Sequence, residues 1–277
     1  MRSLATKRIA GLGLPFVLLL SFMSGCKSKP IQITPDIASS DEALFKIGEQ
    51  SIGKDQEKGL LYLRQIIDSF PKSFYAQRAK LLIADTYFKK GDESNLILAA
   101  SEYRDFIKSY PFSPSTSYCQ YRIGLTYYKK MLKPGRDQTK TEQALAEFKK
   151  CITDYPASDE AKTAQVKVRE CEERLAEHMG GIGIQYVTLQ SYRAGLSRLM
   201  ELVSTYPNYS HMDEIYFYIA EAYFGQAKLD QAVPYYSKLL SDYPKSRLVK
   251  KTIKRQKQIE YLKKNPPKPV KVTRKTR

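Results

Sequence analysis

The chain has 277 residues, enough for one long repeat array or two ordinary domains, and its 14 Gly and 14 Pro exclude a low-complexity polymer. The net charge of +17 is terminal: residues 245–277 carry 14 Lys/Arg against Glu260 alone (+13), residues 1–26 add +3, and +1 remains for residues 27–244. A body so nearly neutral does not offer the basic surface of a nucleic-acid reader.

The N-terminus reads as an export signal. Arg2, Lys7 and Arg8 form a basic start, and Gly11 to Met23 is an apolar run of 13 residues interrupted by Pro15. A spanning helix needs about 20 apolar residues, so this run is too short for one. Met23-Ser24-Gly25-Cys26 places small residues before a Cys, which resembles a bacterial lipobox. Residues 1–25 are therefore expected to be a lipoprotein signal peptide. Cys26 becomes the acylated, palmitate-bearing first residue of the mature chain, and residues 26–40 its tether. An ordinary signal peptide with a Cys nearby is the alternative. Lys27, not Asp, follows the Cys; under the usual bacterial sorting rule that sends the lipoprotein to the periplasmic face of the outer membrane.

An aromatic-Pro-x-Ser motif then recurs as Phe70-Pro71-Lys72-Ser73, Tyr110-Pro111-Phe112-Ser113, Tyr155-Pro156-Ala157-Ser158 and Tyr243-Pro244-Lys245-Ser246, with a looser copy at Tyr206-Pro207-Asn208-Tyr209-Ser210. Each copy separates two amphipathic helical stretches, the mark of a helical solenoid. The pattern between copies is that of tetratricopeptide (TPR) repeats: small then aromatic in helix A, small then aromatic in helix B, and a closing Pro. Ala220, Tyr223, Ala232, Tyr236 and Pro244 fit without gaps. The second repeat reads Ala84, Tyr87, Ala99, Tyr103, Pro111, and the third Gly124, Tyr127, Ala144, Phe148, Pro156, with residues 132–139 inserted between its helices. Gly183, Tyr186, Gly195, Leu199 and Pro207 make the fourth, and a degenerate first uses Gly48, Gly59, Leu63 and Pro71. The expected fold is all-α, a right-handed solenoid of about five TPR helix pairs over residues 41–262.

Two stretches depart from the simple repeat. Apolar residues step by three and four from Ala161 to Leu189, which predicts one continuous helix of about 30 residues. Gly180-Gly181 falls inside it, where a close helix contact or a kink would explain it; no strand precedes this run, as a phosphate-binding loop would require. Leu248 to Leu262 reads as a basic capping helix. Residues 263–277, with three Pro and seven Lys/Arg, read as a disordered tail that is either simply solvated or attracted to anionic surfaces.

Nothing in the residues suggests catalysis. Only two His are present, and no nucleophile–base series, metal-ligand spacing or cofactor motif is visible. Cys119, Cys151 and Cys171 lie in apolar helical patterns, where Cys packs as a small hydrophobe; a Cys151–Cys171 bridge is the alternative.

The lipobox, the tether, the five repeats and the overlong fourth helix A together resemble the BamD family of outer-membrane β-barrel assembly lipoproteins. The most specific stretches are Gly135-Arg136-Asp137-Gln138 with Ala144, Phe148 and Tyr155-Pro156, leading into Leu175-Ala176-Glu177-His178. The resemblance implies a non-catalytic binding protein without cofactors. Its implied partners are the periplasmic domains of a BamA-like barrel insertase, other assembly lipoproteins and unfolded outer-membrane proteins, whose signal is an extended C-terminal strand ending in an aromatic residue. In such arrays helix A lines the inner face, which assigns the client groove to Phe45, Arg78, Leu81, Phe88, Tyr118, Tyr121 and Tyr128. The insertase is assigned to the end of repeat four and to repeat five, with Arg198 and Tyr216 as contacts. A generic TPR scaffold lipoprotein, associated with the cell wall or a secretin, is the alternative reading; such scaffolds usually lack the extension of the fourth repeat.

Overall fold

The computed structural model describes residues 40–266. The signal peptide, Cys26, the tether up to residue 39 and the tail from residue 267 lie outside the described residues. Within them the chain is all-α, without a strand. Its helices are α1 (Asp41–Ile52), α2 (Gln56–Ser69), α3 (Phe74–Lys90), α4 (Glu93–Ser109), α5 (Thr116–Tyr128), α6 (Thr139–Asp154), α7 (Asp159–Thr188), α8 (Tyr192–Thr205), α9 (Met212–Gly225), α10 (Leu229–Asp242) and α11 (Val249–Lys264). They pair as five hairpins, α1–α2 through α9–α10, each packed on the next, and α11 packs on α10 to close the array.

The recurring motif works as a turn. Its aromatic residue adopts nearly one conformation in all five copies, φ −127° to −133° and ψ 53° to 63°. The Pro that follows disfavours α geometry for the residue before it and has no N–H with which to continue a helix. The aromatic carbonyl then accepts from the N–H three residues on: Ser73 to Phe70 at 2.9 Å, Ser113 to Tyr110 at 3.0 Å, Ser158 to Tyr155 at 3.0 Å and Ser246 to Tyr243 at 2.9 Å. The loose fourth copy closes the same bond with Tyr209 to Tyr206 at 3.1 Å, which displaces its Ser by one residue. Ser73 and Ser158 next cap the following helix, accepting from the N–H groups of Tyr75 and Ala161.

Small residues set the spacing within each hairpin. A Cβ added to Gly124 would lie 2.6 Å from the Phe148 ring, and one added to Gly183 would lie 2.6 Å from the Leu199 side chain. Those neighbours, Phe148 and Leu199, are fully buried, so the glycines admit the helix B side chains that fill each hairpin. Gly180 has the same role between repeats, since its added Cβ would meet Ile215 at 3.0 Å and Leu202 at 3.2 Å. Gly181 has no such neighbour within 4 Å, and packing does not explain it.

The 30-residue α7 occupies the predicted stretch up to Thr188, with Leu189 as its C-cap. Its first half covers α6 and its second half pairs with α8, so one helix serves two layers. The insertion before α6 docks against it: Arg174 donates to the Leu132 carbonyl at 2.7 Å, and His178 Nδ1 donates to the Pro134 carbonyl. His178, in one family-specific stretch, thus meets the insertion at Pro134, the residue just before the other. The capping helix continues two residues beyond its expected end, and Lys263 pairs with Asp230 at 2.5 Å. The Cys151–Cys171 bridge does not form; all three cysteines are free and buried. Cys171 Sγ lies 3.8 Å from Met131 Sδ instead, and burial pushes each thiol up to about 12, so they stay protonated.

Candidate functional site

The A helices α1, α3, α5 and α7 share a face on which aromatic rings and cations alternate. On α3, Arg78 is exposed, and its Cζ lies 4.4 Å from the Phe45 ring centroid and 5.9 Å from that of Phe74. It forms no ion pair among the described residues, so its guanidinium is free for a ligand. One repeat on, Arg122 stands 3.8 Å over the Phe88 ring, with Lys129 4.1 Å from the same ring. A third layer sets Lys167 4.4 Å from the Tyr128 ring, and Tyr128 donates to Glu170. Such contacts orient cations over ring faces and contribute about 0.5–1 kcal/mol each when exposed.

Asp85 ties the central layer together. Tyr103 Oη donates to its Oδ1 at 2.5 Å and Tyr118 Oη at 2.8 Å, while Arg122 approaches at 3.4 Å. Arg122 Nε also donates to Tyr103 Oη at 3.1 Å. Burial pushes the Tyr103 and Tyr118 hydroxyls well above the ordinary tyrosine range, so both stay protonated donors at neutral pH. The last repeat copies the arrangement: Tyr236 donates to Glu221, and Arg255 of α11 grips both Glu221 oxygens at 2.7 and 2.8 Å beneath the Phe224 ring 4.6 Å away.

Of the sequence-predicted groove residues, Arg78 is exposed, whereas Leu81, Tyr118, Tyr121 and Tyr128 are half-buried. Phe45 and Phe88 are only 3% and 5% exposed; they fill space between repeats under Arg78 and Arg122, and a ligand reaches them only by displacing those cations. Tyr121 packs on Phe148 with centroids 5.6 Å apart. The two residues assigned to the insertase are not brought together. Arg198 is exposed on α8 and pairs with Glu201 at 3.1 Å, while Tyr216 is 8% exposed in α9, packed against Tyr235 and Tyr243. Sequence reasoning passed over Arg122, Lys167 and Arg255. Their signal was a shared register, since each lies nine residues beyond the Ser that closes the preceding turn.

The chain is 26% identical over 211 residues to the outer membrane protein assembly factor BamD of Caulobacter vibrioides, covering 75% of this chain and 68% of that one. It is also 26% identical over 203 residues to the protein of the same name from Vibrio cholerae, covering 69% and 82%. Among solved structures, the TPR2AB-domain:pHSP90-complex of yeast Sti1 is 15% identical with a TM-score of 0.40, covering 74% of this chain and 78% of that one, a likeness too loose to carry an argument. The match that decides the family spans residues 37–230, and by it the chain belongs to the YfiO family, described as outer membrane lipoproteins.

Proposed function

We propose that this protein is an outer-membrane lipoprotein of the β-barrel assembly machinery, a non-catalytic adaptor that holds unfolded outer-membrane proteins for a barrel insertase. Cys26 supplies the lipid anchor on the periplasmic face. Helices α1, α3 and α5 take the client, and the end of repeat four and repeat five, around exposed Arg198, take the periplasmic domains of a BamA-like insertase beside other assembly lipoproteins. The observation that carries the client reading is the Arg78 guanidinium, which has no ion-pair partner among the described residues, at the head of a ring-lined face. A strand ending in an aromatic residue and a carboxylate offers it a charge-assisted partner, with half-buried Leu81, Tyr118 and Tyr121 to receive the apolar side chains.

Titration of the protein with a fluorescent peptide that ends in such a strand tests this. Arg78→Ala is expected to weaken binding about tenfold, ~1.4 kcal/mol, and Tyr121→Ala comparably, with helicity unchanged. Unaltered affinity in both variants removes the groove assignment. Glu221 and Arg255 lie at the far end of the array, and a charge-swapped pair there should leave the affinity as it was.

A further inference from the structure

The edge of the array formed by the turns before each helix A carries two large apolar side chains in water. Phe112, in the second turn, is 99% exposed, and Phe74, the first residue of α3, is 68% exposed. They lie on one continuous edge. Asp41, at the start of α1, accepts from Ser73, and Gln77 of α3 donates to Ser113. The order along the edge is therefore the start of α1, then Phe74, then Phe112.

Charge on this edge is unevenly distributed. The first turns of α1, α7 and α9 carry Asp41 and Glu42, Asp159 and Glu160, and Asp213 and Glu214, whereas those of α3 and α5 carry no acid. Around the two phenylalanines stand Lys72, Arg78 and Lys108, all exposed, together with Lys80, which donates to Ser109 at 2.9 Å. Against them are Asp68 and Asp105, together with Asp41 and Glu42 of α1, of which Asp41 is bonded to Ser73 and Glu42 is paired with Lys46 at 2.7 Å. Exposed apolar tips with Lys72 and Lys108 beside them are the side-chain chemistry of a segment that lies in a headgroup region.

The chain's own anchor enters at this end. Ser40 caps α1 beside Ser73, and 13 residues separate it from Cys26. At full extension these reach about 45 Å, which limits how far the start of α1 can stand from the acylated Cys26 and leaves its neighbouring turns within reach of the bilayer. This argument rests on the proposed lipid anchor.

We infer that the α1–α3–α5 edge is a second membrane contact, in which Phe112 and Phe74 enter the interface of the anchoring leaflet and Lys72 and Lys108 meet its phosphates. The occupant is a lipid surface, and the contact fixes the orientation of the array: the edge lies on the bilayer while the ring-lined face stays open to the periplasm for clients.

The absence of Trp from the chain provides a clean reporter. Full-length lipidated Phe112→Trp, with Phe74→Trp as a second reporter, is reconstituted into vesicles of phosphatidylethanolamine with a minor share of phosphatidylglycerol, with and without lipids brominated on their acyl chains. Leu189→Trp, at the exposed α7–α8 turn on the opposite edge, is the control. The expected result is a blue-shifted indole at position 112 that loses most of its emission to the brominated chains, while the indole at position 189 keeps its emission. Flotation of the same samples separates the two readings. Protein that floats while the indoles at positions 112 and 74 stay in water overturns the edge contact alone. Protein that fails to float overturns the anchor, and this inference with it. A blue shift in the Phe112→Trp variant that appears only when unfolded outer-membrane protein is added assigns the edge to clients and also overturns the lipid contact.

Discussion

Phe148→Ala is expected to cost about 3–5 kcal/mol of stability, the range for emptying a buried Phe site. Phe148 is fully buried at the centre of the third hairpin, with Tyr121 and Tyr128 at 5.6 and 6.1 Å between ring centroids and Gly124 directly beneath it. In a stacked array each repeat leans only on its neighbours, so the loss falls in the middle. Urea unfolding followed by circular dichroism should separate into two transitions, α1–α4 and α7–α11. The glycine provides a sharper check. Gly124→Ala alone should destabilise by ~1–3 kcal/mol through overpacking, even though Ala is the better helix former by ~1 kcal/mol. In the Phe148→Ala background the same change should become stabilising, because the added methyl then enters empty space. Additive effects in the double variant would contradict the packing described here.

Glu221→Ala should release the capping helix. Glu221 receives two bonds from Arg255 and one from Tyr236, and its side chain is only 15% exposed. Removing it leaves a guanidinium and a phenol without their acceptor under the Phe224 ring, a loss of about 2–3 kcal/mol, reduced from the fully buried case because Arg255 is partly solvated. Apart from these bonds α11 is held by its two buried residues, Ile259 and Thr252, by Val249 against the same core and by the Lys263–Asp230 pair. Amide exchange across Val249–Lys264 is therefore expected to speed up by more than tenfold, with α1–α6 unaffected. Glu221→Gln, which keeps one acceptor, should lose less. Unchanged protection of α11 in the Ala variant would show that its apolar contacts suffice.

The repeats were legible because their signals are local. The aromatic-Pro-x-Ser motif encodes a turn through the fixed φ of Pro and a capping Ser, and the small residues at Gly124, Gly183 and Ala220 mark where helices cross. The length of α7 followed from unbroken apolar steps through Ala161 and Leu189, despite the two glycines. What periodicity could not reveal was which rings are covered. Phe45 and Phe88 fall in the same register as Tyr121 and Tyr128, yet Arg78, Arg122 and Lys129 close over them from neighbouring turns. A cation's choice between an acid and a ring depends on side chains 37 or 34 residues away, as with Arg122 on Asp85 and Arg255 on Glu221. Tyr216 illustrates the other limit: its position suited a surface contact, but Tyr235, Tyr243 and Lys238 surround it.

The central claim is that the A-helix face grips unfolded outer-membrane protein. A photoreactive phenylalanine derivative at Leu81, between Arg78 and Phe88 on α3, tests it directly, with the same group at Leu61 on α2, 64% exposed, as the control. The expected result is a crosslink to a newly exported outer-membrane protein from position 81 and none from position 61. Equal crosslinking from both positions, or capture from 61 alone, would contradict the account.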